Sequence, residues 1–433
     1  MTPPSSPHRV AAALREHARR LERPLRVVAG GNAGVPWDLL RILEGTVEDC
    51  ELFMLNAPRG VPIRPGITHV SPFVGAGVRG LPELSYIPSR LSHVPALLAG
   101  RFVPDVVLVA VAPLRSGQPV SLGAEVNILP AAMESCRATG GLVLAESRTD
   151  IPYTHGDAEV DRETIDLVIE SLARPAATHS ASPSSAEVAL IGSHVAARIA
   201  SGATLQLGIG LIPDAVVPRL TGKRRLGVWS EMVSDGVLHL DDAGALDPER
   251  PITASFAVGS PRLNAWLNDN PRVQMRRTEV VNDPGRIAAH PAMTSINTAL
   301  AVDLYDQANA THVGSRLHSG FGGQCDFVSG AMDSAGGQAI MALRSWHPRA
   351  DVSSIVALLE GPVTSFQHTA VITEQGTAEM LGWDAEAQAR HLIEVAHPSV
   401  RDDLWEEAEA LGLIAGANSA SARIEGRQPH ARV

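Results

Sequence analysis

Short, unbroken apolar runs alternate with helical patterns along most of this chain. Leu25–Ala29 reads as a buried strand, and the glycine-rich stretch Gly30-Gly31-Asn32-Ala33-Gly34 follows it before a helix opens near Pro36. Residues 105–111 and 142–145 are further strand candidates, separated by a helical pattern over 131–139. The second half repeats the alternation. A helix is predicted over 185–200, and strands over 203–207, 226–229, 298–303, 338–343, 354–359 and 370–373. Closing helices are predicted over 390–396 and 400–411. Fully apolar strands joined by helices imply parallel sheets covered on both faces, the α/β class.

Residues 175–186 are rich in Ala, Ser and Pro and read as a linker. The expected division is therefore 1–180 and 181–433, since 433 residues exceed a typical single core. The tail after Gly416 is expected to be disordered. The Arg-rich residues 1–26 contain Glu16 and Glu22 and no apolar stretch of signal-peptide type, so they read as a surface helix.

Composition narrows the function. The chain is 45% hydrophobic and 4% aromatic, as suits Val/Leu strands and Ala-rich helices. Its net charge of -11 argues against nucleic-acid binding, and no apolar run reaches the roughly 18 residues of a membrane span. Three cysteines without CxxC spacing fit a reducing cytoplasm. The sixteen histidines form no HExxH or paired Cys/His spacing, which disfavours a metal site. Neither GxSxG nor GxxxxGK[ST] is present.

Three segments carry candidate chemistry. In Gly227-Val228-Trp229-Ser230-Glu231-Met232, a β-prone run leads into Glu231, and the turn signal Asp235-Gly236 follows. A carboxylate so presented can be a nucleophile, a general base or a metal ligand, or can simply cap the turn. In Leu207-Gly208-Ile209-Gly210-Leu211-Ile212-Pro213, a strand ends at a Gly-x-Gly turn before a helix start. That suits an anion such as a pyrophosphate, and equally suits a bare tight turn. In Gly320-Phe321-Gly322-Gly323, clustered backbone amides can hold an oxyanion or a thioester carbonyl, or form a bulge or flexible loop.

Taken in order, LQLGIGLIPDAV, WSEMVSDG, VNDP, MTSINTALAVDL, SGFGGQCDF, VITEQGTAEM and EVAHPSVRDDL resemble the acetyl-CoA hydrolase/transferase family. GNAGVP, SYIP, SGQPVSLG and IPYTHGD match it more loosely. The resemblance implies two open α/β domains of the CoA-transferase (NagB/RpiA-like) type with the active site in the cleft between them. It implies that Glu231 is a covalent nucleophile forming a glutamyl-CoA thioester, that Gly322 and Gly323 supply oxyanion donors, and that Gly208, Ile209, Gly210 and Asn297 contact CoA. CoA is then a substrate and no cofactor is permanently bound. The partners are an acyl-CoA and a small carboxylic acid, and the chain is expected to be a cytoplasmic homo-oligomer.

The chain departs from the family pattern at several points. Trp229 stands where His or Thr is usual, which is expected to narrow the acyl pocket or stack on a substrate. Family cations are absent from Ser345-Trp346-His347-Pro348-Arg349, Val363-Thr364-Ser365-Phe366-Gln367 and Met380-Leu381-Gly382. CoA would then be held by other groups such as Arg344 or Arg349, and an atypical substrate is expected. Thioester hydrolysis by the same glutamate and non-catalytic acyl-CoA binding are the competing readings.

Overall fold

Residues 25–29 alternate between two cores: Leu25, Val27 and Ala29 pack into one buried cluster and Val28 into another. That is the period-2 signature of a strand covered on both faces. In the computed structural model, which describes residues 4–172 and 185–415, this strand lies in the middle of a seven-stranded sheet. The order is Leu167–Ser171, Leu142–Arg148, Val106–Val111, Leu25–Ala29, Cys50–Phe53, Ile67–Ser71 and Leu84–Tyr86, and every pairing is parallel. The expected linker lies almost wholly outside the described residues, as do the 180/181 boundary and the tail.

A nine-stranded sheet follows in the second half, ordered Gly376–Glu379, Ala370–Thr373, Gln338–Ala342, Met293–Asn297, Thr204–Leu207, Gly227–Trp229, Ile252–Ala254, Val273–Met275 and His155–Gly156. Only the Gly376–Glu379 hairpin is antiparallel. The edge strand His155–Gly156 belongs to the first half of the chain and pairs with Gln274 and Met275. One buried cluster contains Val28, Val107 and Val109 of the first sheet with Leu205, Val228 and Ile252 of the second, so the two sheets share a core.

The helices start where sequence chemistry says they should. Ser6 caps Pro7–Arg19 and Ser185 caps Ala186–Arg198, each with its side chain accepting a backbone N–H. Ala186–Arg198 packs on Leu211–Leu220, which opens directly after Gly210. The closing helices are Ala385–Val395 and Arg401–Ala410. No helix among the described residues is long and apolar enough to cross a membrane.

Two expected strands are displaced. The sheet strand near 298–303 is Met293–Asn297, and Ala301–Asp303 instead joins a small four-stranded sheet. Buried Thr294 and Ser295 disguise the true strand, because polar residues at core positions break the apolar run. Over 354–359 only Ile355–Val356 is a strand, and Leu358 is exposed. Leu142–Arg148 outruns its apolar half because Glu146 is fully buried; it accepts the Asp38 and Leu39 amides at the start of helix Trp37–Glu44.

Leu205 is fully buried in the centre of the second sheet. Leu205→Ala is expected to cost about 2–5 kcal/mol, read as a lowered urea midpoint with an unchanged slope.

Candidate active site

Glu231 sits where a strand is interrupted. Gly227–Trp229 ends, the fully buried Ser230 donates its hydroxyl to the Leu207 carbonyl at 3.1 Å, and Met232–Val233 resumes pairing with Phe256–Ala257. The Glu231 carbonyl accepts the amides of Ser255 at 2.9 Å and Phe256 at 3.2 Å. With its backbone pinned on both sides, Glu231 has a fixed origin for its side chain, which is partly exposed.

The carboxylate meets the glycine loop directly. A Cβ placed on Gly323 would lie 1.9 Å from Glu231 Oε2, so no other residue fits there without displacing the carboxylate. The Gly323 N–H hydrogen-bonds to Glu231, and Asn282 Nδ2 lies 3.5 Å from Oε2. The same Nδ2 lies 3.5 Å from Asp326 Oδ2. Asp326 is fully buried and accepts the Ser92 amide at 3.1 Å and the Ser92 hydroxyl at 2.7 Å, with Arg90 Nη1 3.9 Å away.

The loop is fastened by the first half of the chain. The Leu91 amide donates to the Gly322 carbonyl at 2.9 Å, the Val74 amide donates to the Ser319 carbonyl at 3.0 Å, and Phe73 forms a bridge with Gly320. Glycine amides aimed at a carboxylate are strong oxyanion donors only when held still, and these contacts hold them.

A second carboxyl stands nearby. Glu125, 2% exposed, accepts from Asn32 Nδ2 at 3.2 and 3.0 Å and from Asn127 Nδ2 at 3.2 Å. Its backbone bridges Phe256, which in turn bonds the Glu231 carbonyl. Burial pushes Glu125 up to about 8, against the pull of the two carboxamides, and the Glu231 charge pushes it further in the same direction. Burial likewise lifts Glu231 to about 7; the Asn282 and Gly323 hydrogen bonds oppose this, and the Asp326 charge adds to it.

A cavity of about 530 Å³ is lined among others by Ile209, Gly210, His318, Arg344, His347 and Arg349. Helix Leu211–Leu220 opens onto it, an arrangement that favours anions. Arg344 and Arg349 thus face the same space as the Gly-x-Gly turn.

Of the residues singled out by sequence, Glu231 and Gly323 meet directly, with Gly322 anchored beside them. Ile209 and Gly210 line the cavity and Gly208 adjoins them. Asn297 turns its amide to Ser295 Oγ at 2.7 Å and Gln206 Oε1 at 3.3 Å, and its neighbours Thr298, Ala299 and Leu300 line the cavity. Trp229 does not behave as expected from the sequence. Its ring lies 4.4 Å from His290 and its Nε1 donates to the Val281 carbonyl at 2.9 Å, so it buttresses the segment that carries Asn282. Asn282, Asp326, Ser92 and Glu125 carry no site signal of their own in the sequence. VNDP and SGFGGQCDF contain the first two, but nothing in their spacing says that they converge on Glu231.

Two largely parallel sheets covered by helices, with a strand-end glutamate held against a glycine loop, define a CoA-transferase-type enzyme fold. RipA from Yersinia pestis has this fold, with a TM-score of 0.83 at 26% identity, covering 95% of this chain and 100% of that one. The 4-hydroxybutyrate coenzyme A transferase of Clostridium kluyveri is 33% identical over 410 residues, 90% of this chain and 94% of that protein. An acetyl-CoA hydrolase of Saccharomyces cerevisiae is 34% identical over 206 residues, 45% of this chain and 38% of that protein. Residues 259–408 match the acetyl-CoA hydrolase/transferase C-terminal domain. The chain belongs to the acetyl-CoA hydrolase/transferase family.

Any chemistry that needs Glu231 ionised should rise with pH through about 7, because that is where its carboxyl loses its proton. Asp326→Asn removes a charge that raises it, so the rising limb of a pH–rate profile should move to lower pH. A limb that stays in place would show that Asp326 has no electrostatic hold on Glu231.

Proposed function

We propose that this enzyme transfers CoA between an acyl-CoA and a carboxylic acid, with Glu231 as the covalent nucleophile. The observation that carries the reading is the Glu231 carboxylate in van der Waals and hydrogen-bond contact with Gly323, with Asn282 alongside.

The Glu231 carboxylate attacks the thioester carbon, the C–S bond breaks, and CoA leaves as a thiolate, giving an acyl-glutamyl anhydride. The thiolate attacks the glutamyl carbonyl and expels the first acid as a carboxylate, leaving a glutamyl-CoA thioester. The incoming carboxylate attacks that thioester and forms a new anhydride. The returning thiolate takes the new acyl group and frees Glu231. Once Glu231 has lost its proton each nucleophile in the cycle is an anion, so no proton moves between the steps and none of them needs a general base. The oxyanion at each tetrahedral stage needs a donor, and the Gly323 amide and the Asn282 carboxamide are the groups within reach.

CoA is assigned to the cavity beside the Gly208–Gly210 turn. Arg344, His347 and Arg349 there replace the cations missing elsewhere, and can meet CoA phosphates. Binding energy from this remote part of the substrate is available to position the thioester.

A second reading is hydrolysis, in which water intercepts the glutamyl intermediate. The partial exposure of Glu231 favours it, since water has access to the same carbon.

Four measurements test the proposal. Mass spectrometry of the protein with acyl-CoA should find a CoA-sized adduct on Glu231 that is absent from Glu231→Gln; no adduct in the unmodified chain sinks the covalent mechanism. CoA exchange should depend on added acid, whereas release at the same rate without acid identifies a hydrolase. Glu231→Asp should lose on the order of 100-fold in rate, because a nucleophile retracted by about 1 Å misses its near-attack geometry. For the cavity, Arg344→Ala combined with Arg349→Ala should raise the KM for acyl-CoA at least tenfold. An unchanged KM removes CoA from that cavity.

A further inference from the structure

Gly322 and Gly323 have no side chains by which to be held, and glycine backbone is the freest to move. The Gly323 amide therefore stays on Glu231 only if its neighbours are anchored. On the upstream side, Phe73, Val74 and Leu91 do this through Gly320, Ser319 and Gly322. On the downstream side, helix Gln324–Asp333 begins at once, and its first two residues are both tied to Thr364 and Ser365. The Cys325 thiol donates to the Thr364 carbonyl at 2.6 Å, and Gln324 Nε2 donates to Ser365 Oγ at 2.8 Å.

The bonds continue beyond Ser365. Its Oγ lies 2.9 Å from His368 Nε2, and His368 Nδ1 lies 2.7 Å from Asp306 Oδ1. Asp306 Oδ2 also accepts the His368 backbone N–H at 2.7 Å, so one carboxylate fixes both the place and the ring of the histidine. All three residues are buried. A carboxylate oxygen accepts, so Nδ1 carries the hydrogen. In the neutral ring Nε2 is then a bare acceptor. It takes the Ser365 hydroxyl hydrogen and leaves the Ser365 oxygen to accept from Gln324. Every bond thus runs the same way, from Gln324 through Ser365 and His368 to Asp306. Bonds aligned head to tail polarise one another, and a carboxylate at the far end makes the Ser365 oxygen a better acceptor than a lone hydroxyl. The backbone is committed to the arrangement as well. Asp306 and Gln367, which precedes His368, have φ of 57° and 59°, a region that side-chain-bearing residues seldom occupy.

Serine, histidine and aspartate in this order also make a hydrolytic triad. Here the serine is only 4% exposed and its oxygen is already taken by the Gln324 carboxamide. The polarised hydroxyl faces a structural partner in the place where a triad would meet a substrate.

We infer that Asp306, His368 and Ser365 are a positioning relay which, through Gln324, holds the start of helix Gln324–Asp333 and with it the Gly323 amide against Glu231. The inference rests on the CoA-transfer reading for what that amide does, and on the geometry for how it is held. The Gly323 hydrogen bond favours the ionised form of Glu231 and opposes the effect of burial. Asp326 and Glu125 are the charged groups that face Glu231, and neither belongs to the relay. Loosening the relay leaves burial less opposed, so Glu231 should keep its proton to higher pH.

The test measures kcat, KM and the pH–rate profile with an acyl-CoA and an added acid for Ser365→Ala, Ser365→Thr and Gln324→Leu. The Ala and Leu variants should lose on the order of 10-fold in kcat with the KM for acyl-CoA unchanged. Their rising limb should move up by about half a pH unit or more, opposite to the shift expected of Asp326→Asn. Ser365→Thr, which keeps the hydroxyl, should restore most of both. Gln324 is half-buried, so Gln324→Leu supplies the readout if Ser365→Ala fails to fold. A limb and kcat unmoved in Gln324→Leu, a raised KM at intact kcat, or an equal loss in Ser365→Thr and Ser365→Ala overturns the relay. Labelling of Ser365 by a fluorophosphonate probe would make it a nucleophile and overturn it too. Absence of a CoA adduct on Glu231 in the unmodified enzyme would instead overturn the CoA-transfer reading. The relay is then decided by a 13C NMR titration of the Glu231 carboxyl, whose midpoint should rise in Gln324→Leu.

Discussion

The site depends on one close contact, a carboxylate pressed against a backbone amide. Glu231 Oε2 occupies the space that any side chain on residue 323 would fill. Everything around it serves to keep that contact in register. Ser230 ties the strand before it to Leu207, Ser255 and Phe256 hold its carbonyl, and Leu91 holds the Gly322 carbonyl on the opposite wall. Burial raises the proton affinity of Glu231 and the Asp326 charge adds to it, while hydrogen bonds from Asn282 and Gly323 bring it part of the way back.

Much of this architecture is legible in the sequence, and the reasons for the gaps are physical. Leu25–Ala29, Val106–Val111 and Ala370–Thr373 are unbroken apolar runs because both faces of a parallel strand are buried. Met293–Asn297 escaped because Thr294 and Ser295 satisfy their polarity inside the sheet. Glu231 and the glycine loop were legible because their chemistry needs rare residue types at fixed places. Asn282, Asp326 and Glu125 were not, since they lie 44 or more residues from their partners in nearly every case and only folding brings them together. Trp229 was misplaced for a related reason: closeness in sequence to Glu231 says nothing about the side to which a neighbouring side chain points.

The site is a joint construction. The second half supplies Glu231, the glycine loop and the cavity, while the first half supplies Ser92, Leu91, Asn32 and Glu125. The 259–408 segment that matches the family's C-terminal domain contains the glycine loop, Asn282 and Asp326 but excludes Glu231. Neither that segment nor either sheet alone forms the constellation.

The edge strand His155–Gly156 gives this joint construction a mechanical consequence. It is formed by first-half residues yet is stitched by backbone pairing into the second-half sheet, beside Val273–Met275. Many two-lobed enzymes admit substrate by swinging their lobes on a hinge. Here such a swing would tear a strand from its sheet and split an apolar core common to both lobes. The pairing of His155–Gly156 and the shared core therefore couple the two lobes mechanically, so that neither can rotate without disturbing the other.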